Sequence, residues 1–114
     1  MVKKFKQYNI DDPIYHAQLT IFIGDVEEIR KYLKEKIDYD IGEVFDGKFI
    51  PQPRHKIIVM PKFEYDTLLH EVIHYVFAIF KIRGIPIKYQ NDEVFAYYYE
   101  MTIKNILKSL HKKK

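Results

Sequence analysis

The stretch from Thr67 to Arg83 leaves this chain the least freedom. Leu68, Leu69, Val72, Ile73, Val76, Phe77, Ile79 and Phe80 cover most of the circumference of a helix, and a helix apolar nearly all round runs through a core rather than over it. Asp66 is suited to cap its N-terminus, and Gly84 with Pro86 ends it in the order helices favour. The domain is therefore expected to form around this helix, and the polar residues on it need a reason to be there.

Those residues are His70 and Glu71, then His74 after Val72 and Ile73. Side chains four apart on a helix project side by side, so two imidazoles at this spacing are placed to hold one tetrahedral zinc, with the Glu flanking the metal's water. A single His in an apolar helix is more often a hydrogen-bonded core residue. Two of them with a carboxylate between are costly to bury without a partner, and a metal supplies one. Glu71 is then the expected general base, taking a proton from zinc-activated water during attack on a carbonyl and returning it to the leaving amine.

A catalytic zinc takes three protein ligands and keeps one position open. The chain has no cysteine, so the third ligand has to be His or carboxylate, and disulfides are excluded. Glu93 is the expected ligand, 19 residues after His74, at the start of a helix folded back antiparallel to the first and at the edge of its inward stripe. Asp92 and Glu100 are the alternatives.

Other segments read as follows. Tyr15 to Ile23 alternates as a half-buried strand does. Asp25 with Glu28 forms an acidic capping box for a helix whose stripe is Val26, Ile29, Leu33 and Ile37. Asp46-Gly47 between Glu43-Val44-Phe45 and Lys48-Phe49-Ile50 predicts a tight hairpin, and Lys56 to Met60, closed by Pro61, a further strand. Asn91 or Asp92 caps a last helix reaching Leu110, with Phe95, Tyr99, Ile103, Ile106 and Leu110 inward. The sum is an α+β domain: a small mixed sheet of three or four strands, a packing helix, and two antiparallel helices bearing the site. At 114 residues, 47% of them hydrophobic and 18 of them Phe or Tyr, one domain with one core is expected over residues 1–114. Residues 1–12 and 111–114 are expected to be flexible.

No window is long and apolar enough to span a bilayer, and the N-terminus does not read as a signal peptide, so a cytoplasmic protein is expected. The formal charge is +3, with much of the excess in Lys3, Lys4, Lys6 and the closing His111 to Lys114. These read as solvated tails, since a nucleic-acid footprint needs basic residues gathered on one folded face.

Thr67 to His74, followed by Asn91-Asp92-Glu93-Val94-Phe95-Ala96-Tyr97, resembles the active-site pair of helices in gluzincin metallopeptidases. The likeness is greatest to minimal stand-alone zincin domains and similar small peptidases of phage and bacterial genomes. It covers residues 55 to 110 well and the preceding strand and helix more loosely. Carried over residue by residue, it implies zinc held by His70, His74 and Glu93, with Glu71 as base. It also implies a peptide or protein substrate aligned along an edge strand, matched here by Ile57 to Met60. Two departures stand out. Larger members carry an Asp four residues after the ligand Glu to orient a zinc His, and here that position is Tyr97. The large C-terminal subdomain that supplies oxyanion stabilisers has no counterpart, which leaves Tyr97, then Tyr98 or His16, as candidates.

The leading expectation is thus a zinc-dependent peptide-bond hydrolase. A catalytically silent zinc-holding interaction or regulatory domain is the alternative, and a nucleic-acid-binding module using the Lys-rich ends comes last.

Overall fold

The structure is a computed structural model that describes residues 4–53 and 55–112. A four-stranded mixed sheet carries one helix on one face and two on the other. In chain order the elements are β1 (Phe5–Asp11), β2 (Gln18–Gly24), α1 (Val26–Ile37), β3 (Lys48–Pro51), β4 (Lys56–Met60), α2 (Tyr65–Arg83) and α3 (Asp92–Lys112), the last preceded by a single 3-10 turn, Tyr89–Asn91. The strand order is β1-β2-β4-β3. β1 pairs antiparallel with β2, β2 parallel with β4, and β3 antiparallel with β4.

Both faces of the sheet are buried, each by alternate residues of the same strands. Phe22, Ile57, Val59 and Ile50 meet Ile29 and Leu33 of α1. Leu19, Ile21, Ile58 and Met60 meet Leu68, Val72, Val76 and Phe80 of α2 and Tyr98 and Ile106 of α3. Leu68, Val72, Val76 and Phe80 are fully buried, so truncating any of them to Ala is expected to cost about 2–5 kcal/mol.

Local signals account for the helices. Asp25 accepts a hydrogen bond from the Glu28 backbone N–H at 3.1 Å and starts α1. At the end of α2, Gly84 adopts a positive φ of 70°. Its N–H donates to Lys81 O, and that of Ile85 to Phe80 O, the reciprocal pair of bonds that closes a helix on an αL glycine. α2 begins at Tyr65, one residue before Asp66, and Glu64 occupies the cap position without a side-chain bond.

Four expectations are revised. Phe5–Asp11 is an ordered strand, not a loose lead-in, while residues 1–3 and 113–114 lie outside the described residues. The strand expected from Tyr15 begins at Gln18, because His16 sits in a turn at φ 57° whose N–H donates to Asp12 O. Residues 43–45 form no strand, so no hairpin exists at Asp46-Gly47, and β3 pairs with β4 instead. Finally, Ile57 to Met60 is not an edge: β4 lies between β2 and β3, and every residue of it is buried. The edge strand on that side is β3.

Candidate metal centre

α2 lies between two flanks. On one side α3 runs antiparallel to it: Phe95 packs on Phe77 and Phe80, ring centroids 5.3 and 5.6 Å away, while Tyr99, a turn later, donates from its hydroxyl to Leu69 O at 3.1 Å. On the other side Phe49 of β3 meets Tyr75 edge-on at 6.4 Å. His70 and His74 point outward between these flanks and are exposed, whereas Glu71 is turned inward and only 7% exposed.

The two imidazoles converge. Their Nε2 atoms are 3.4 Å apart and their rings meet edge to face at 5.0 Å. That separation is long for a hydrogen bond between ring nitrogens. It matches the edge of a zinc tetrahedron, since two nitrogens each about 2.0–2.1 Å from the metal lie about 3.3–3.4 Å from one another. Two of the expected ligands are thus side by side.

The third does not stand with them. Among the described residues no group of three His, Cys, Asp or Glu side chains is gathered for a metal. Glu93 is exposed in the first turn of α3, and the packing of Phe95 on Phe77 and Phe80 sets that turn opposite the part of α2 beyond His74. Among the described residues no ion pair or hydrogen bond ties its carboxylate. Glu100 is held by Lys104 at 3.8 Å, and Asp92 lines a small apolar pocket with Phe77, Ile87 and Phe95.

Glu71 has a neighbour whose role the sequence concealed. Gly47 approaches α2 so closely that a methyl group there would overlap Thr67 Cγ2 and lie 3.5 Å from Glu71 Oε2. The carboxylate thus faces the start of the edge strand β3. Asp46-Gly47 signalled a turn, but the glycine is needed for this contact between backbone and helix.

The oxyanion candidates separate clearly. Tyr97 is 67% exposed on α3. Tyr98 belongs to the core: its hydroxyl donates to Asp12 Oδ2 and lies 3.1 Å from the Tyr75 hydroxyl. Burial, followed by these hydrogen bonds, pushes its pKa well above the ordinary tyrosine range, and burial pushes that of Tyr75 up to about 12. His16 shares a surface pocket with Ile82 and Arg83, more than two turns beyond His74. Tyr98 and His16 are thereby removed as candidates. Tyr99, read only as core, is the α3 residue that touches the His-bearing turn, and its half-buried hydroxyl has a raised pKa because of desolvation.

Among the described residues no helix is long and apolar enough to cross a membrane. Compared with known protein families, curated proteins and solved structures, the chain matches none.

Proposed function

We propose that the chain is a zinc-dependent peptide-bond hydrolase. The observation that carries this reading is the 3.4 Å between His70 Nε2 and His74 Nε2, a spacing set for two vertices of one tetrahedral ion. Glu93 is the proposed third ligand: its carboxylate is engaged by no ion pair or hydrogen bond among the described residues, and it would have to move from where it stands to join the imidazoles. Zinc held by His70, His74 and Glu93 would supply Lewis acidity, to polarise a carbonyl and acidify water.

The chain's own residues supply the rest. Glu71, one position after the first ligand and facing β3, takes the proton from the attacking water and delivers it to the departing amine. β3 offers an unpaired edge beside it, along which an extended peptide adds as a further strand. Tyr97, exposed on α3, is the remaining candidate for stabilising the developing oxyanion.

A second reading has its own support: Glu93 stands apart from the imidazoles, and among the described residues no third His, Asp or Glu is gathered with them. On this reading the chain is a zinc-holding module without turnover. Elemental mass spectrometry on untagged protein, as parent and as His74→Ala, tests what both share, with about one zinc per chain expected and lost in the variant. Glu71→Gln then separates them. Retained zinc with cleavage of a peptide library abolished supports hydrolysis, and a parent that holds zinc but cleaves nothing supports the silent module. A parent that stays metal-free on reconstitution ends both.

A further inference from the structure

Basic side chains from the two ends of the chain and from its middle meet at one corner. Lys4, Lys6 of β1, Lys62 of the turn before α2 and His111 at the end of α3 line one cleft of about 660 Å³. The sheet brings them there. Lys6 pairs with Ile23 across the β1–β2 ladder and lies on the same side as Tyr8 and Ile10, the side α3 covers. α3 then runs out over that corner, so Leu107 and Leu110, with Ile23 and Phe63, form the apolar floor. Tyr65, 56% exposed, stands at one wall.

The charge around this floor is of one sign. Among the described residues no Asp or Glu lines the cleft, in a chain with 16 acidic residues against 19 Lys and Arg. Among the described residues the ion pairs engage none of Lys4, Lys6 and Lys62. Like charges held together around an apolar hollow are relieved by an anionic partner that also has something apolar to bury.

We propose that this cleft docks an acidic segment of another protein, with a bulky apolar side chain seated between Phe63, Leu107 and Leu110 and flanking carboxylates on the lysines. The floor favours a peptide over a nucleic acid. Ile23, Leu107 and Leu110 offer no face on which a base stacks, and of the four Phe and Tyr rings that line the cleft Phe63 and Tyr65 pack edge to face on each other at 4.8 Å instead of offering successive flat platforms for bases. Lysines bind as point charges, without the planar fork that grips phosphate. Tyr65 opens α2 five residues before His70, which places this wall of the cleft about 7.5 Å from His70 along the helix axis. The docking itself requires no zinc.

The test is fluorescence anisotropy of a short labelled peptide in which glutamates flank a Leu-Phe pair, titrated with the full chain. Saturable binding that weakens as salt rises is expected, falling by about tenfold or more in Lys6→Glu/Lys62→Glu. Both lysines are exposed, so that variant is expected to keep its circular dichroism spectrum and its metal content. Undiminished affinity in the double variant overturns the proposal. Equal binding of the peptide with Gln in place of Glu, or no saturable binding at low salt, does the same. An oligothymidylate that binds while the peptide does not assigns the cleft to nucleic acid and overturns it too.

Discussion

Gly47 lies against Glu71 so closely that a methyl group on it would sit 3.5 Å from the carboxylate and inside the Thr67 Cγ2 methyl. Gly47 has no positive φ, so its replacement is a matter of space and not of backbone strain. Thr67 is β-branched and stiff at χ1, which leaves it little room to give way on a helix. Gly47→Ala is therefore expected to destabilise by about 1–3 kcal/mol, as overpacking does, and to slow any cleavage by shifting the Thr67 turn of α2 that precedes Glu71. Thr67→Ser removes the obstructing methyl, so the double variant should recover most of the loss in urea unfolding. Simple addition of the two single effects would show that Gly47 serves some other purpose.

A second prediction concerns the polar link through the core. The Tyr98 hydroxyl donates to Asp12 Oδ2, while the other oxygen of Asp12 accepts from Ile14 N at 2.8 Å. Asp12 is 8% exposed, so Tyr98→Phe leaves a buried carboxylate short of a donor. A loss of about 1–3 kcal/mol is expected, measured as a lowered urea midpoint with an unchanged slope. Tyr75→Phe removes only a neutral partner of Tyr98 and should cost about 0.5–1.5 kcal/mol. Equal losses in the two would mean that the link to Asp12 adds nothing.

What the sequence made legible follows the range of each interaction. The His70–His74 pair, the Asp25 cap and the Gly84 stop depend on residues within a turn or so of one another, and each stands where the pattern placed it. β1 went unseen because Lys6, Gln7, Asn9 and Asp11 dilute its apolar residues, as an edge strand allows. Ile57 to Met60, which the resemblance matched to an edge, shows the opposite error, since its unbroken apolar run belongs to a strand covered on both faces. The distance of Glu93 from the imidazoles has a longer-range reason. Where it stands depends on the register of α3 on α2, which Phe95 sets against Phe77 and Phe80, and the apolar stripe of α3 reads the same in any register.

pH should act through His55. Its imidazole is in hydrogen-bond contact with Thr20, whose hydroxyl donates to Asn9 Oδ1 at 3.1 Å. Burial, and after it the charge of Lys56, lowers its pKa. The unfolded chain then takes up this proton near pH 6.5 while the folded one still resists. Stability from this group is full above about pH 6.5 and is lost as the pH falls toward the folded value, at no more than about 1.4 kcal/mol per pH unit. Urea midpoints of the parent and of His55→Gln, compared between neutral pH and pH 5, should converge on acidification. A difference that stays constant would place the His55 titration at its ordinary value.

Zinc should stabilise the fold through the same two imidazoles. An ion that binds the folded chain and not the unfolded one adds about 2.7 kcal/mol at a free concentration a hundred times its Kd. His70 and His74 are exposed, so replacing either with Ala opens no cavity and should leave the metal-free stability nearly unchanged. The expected pattern in thermal melts is a zinc-dependent rise in Tm for the parent and for Glu71→Gln, absent in His70→Ala and His74→Ala. Glu93→Gln is the informative case. A rise reduced from the parent's, with the metal-free Tm unaltered, places its carboxylate on the ion. A full rise leaves zinc held by the imidazole pair alone, with Glu93 as an acidic residue favoured at the start of a helix.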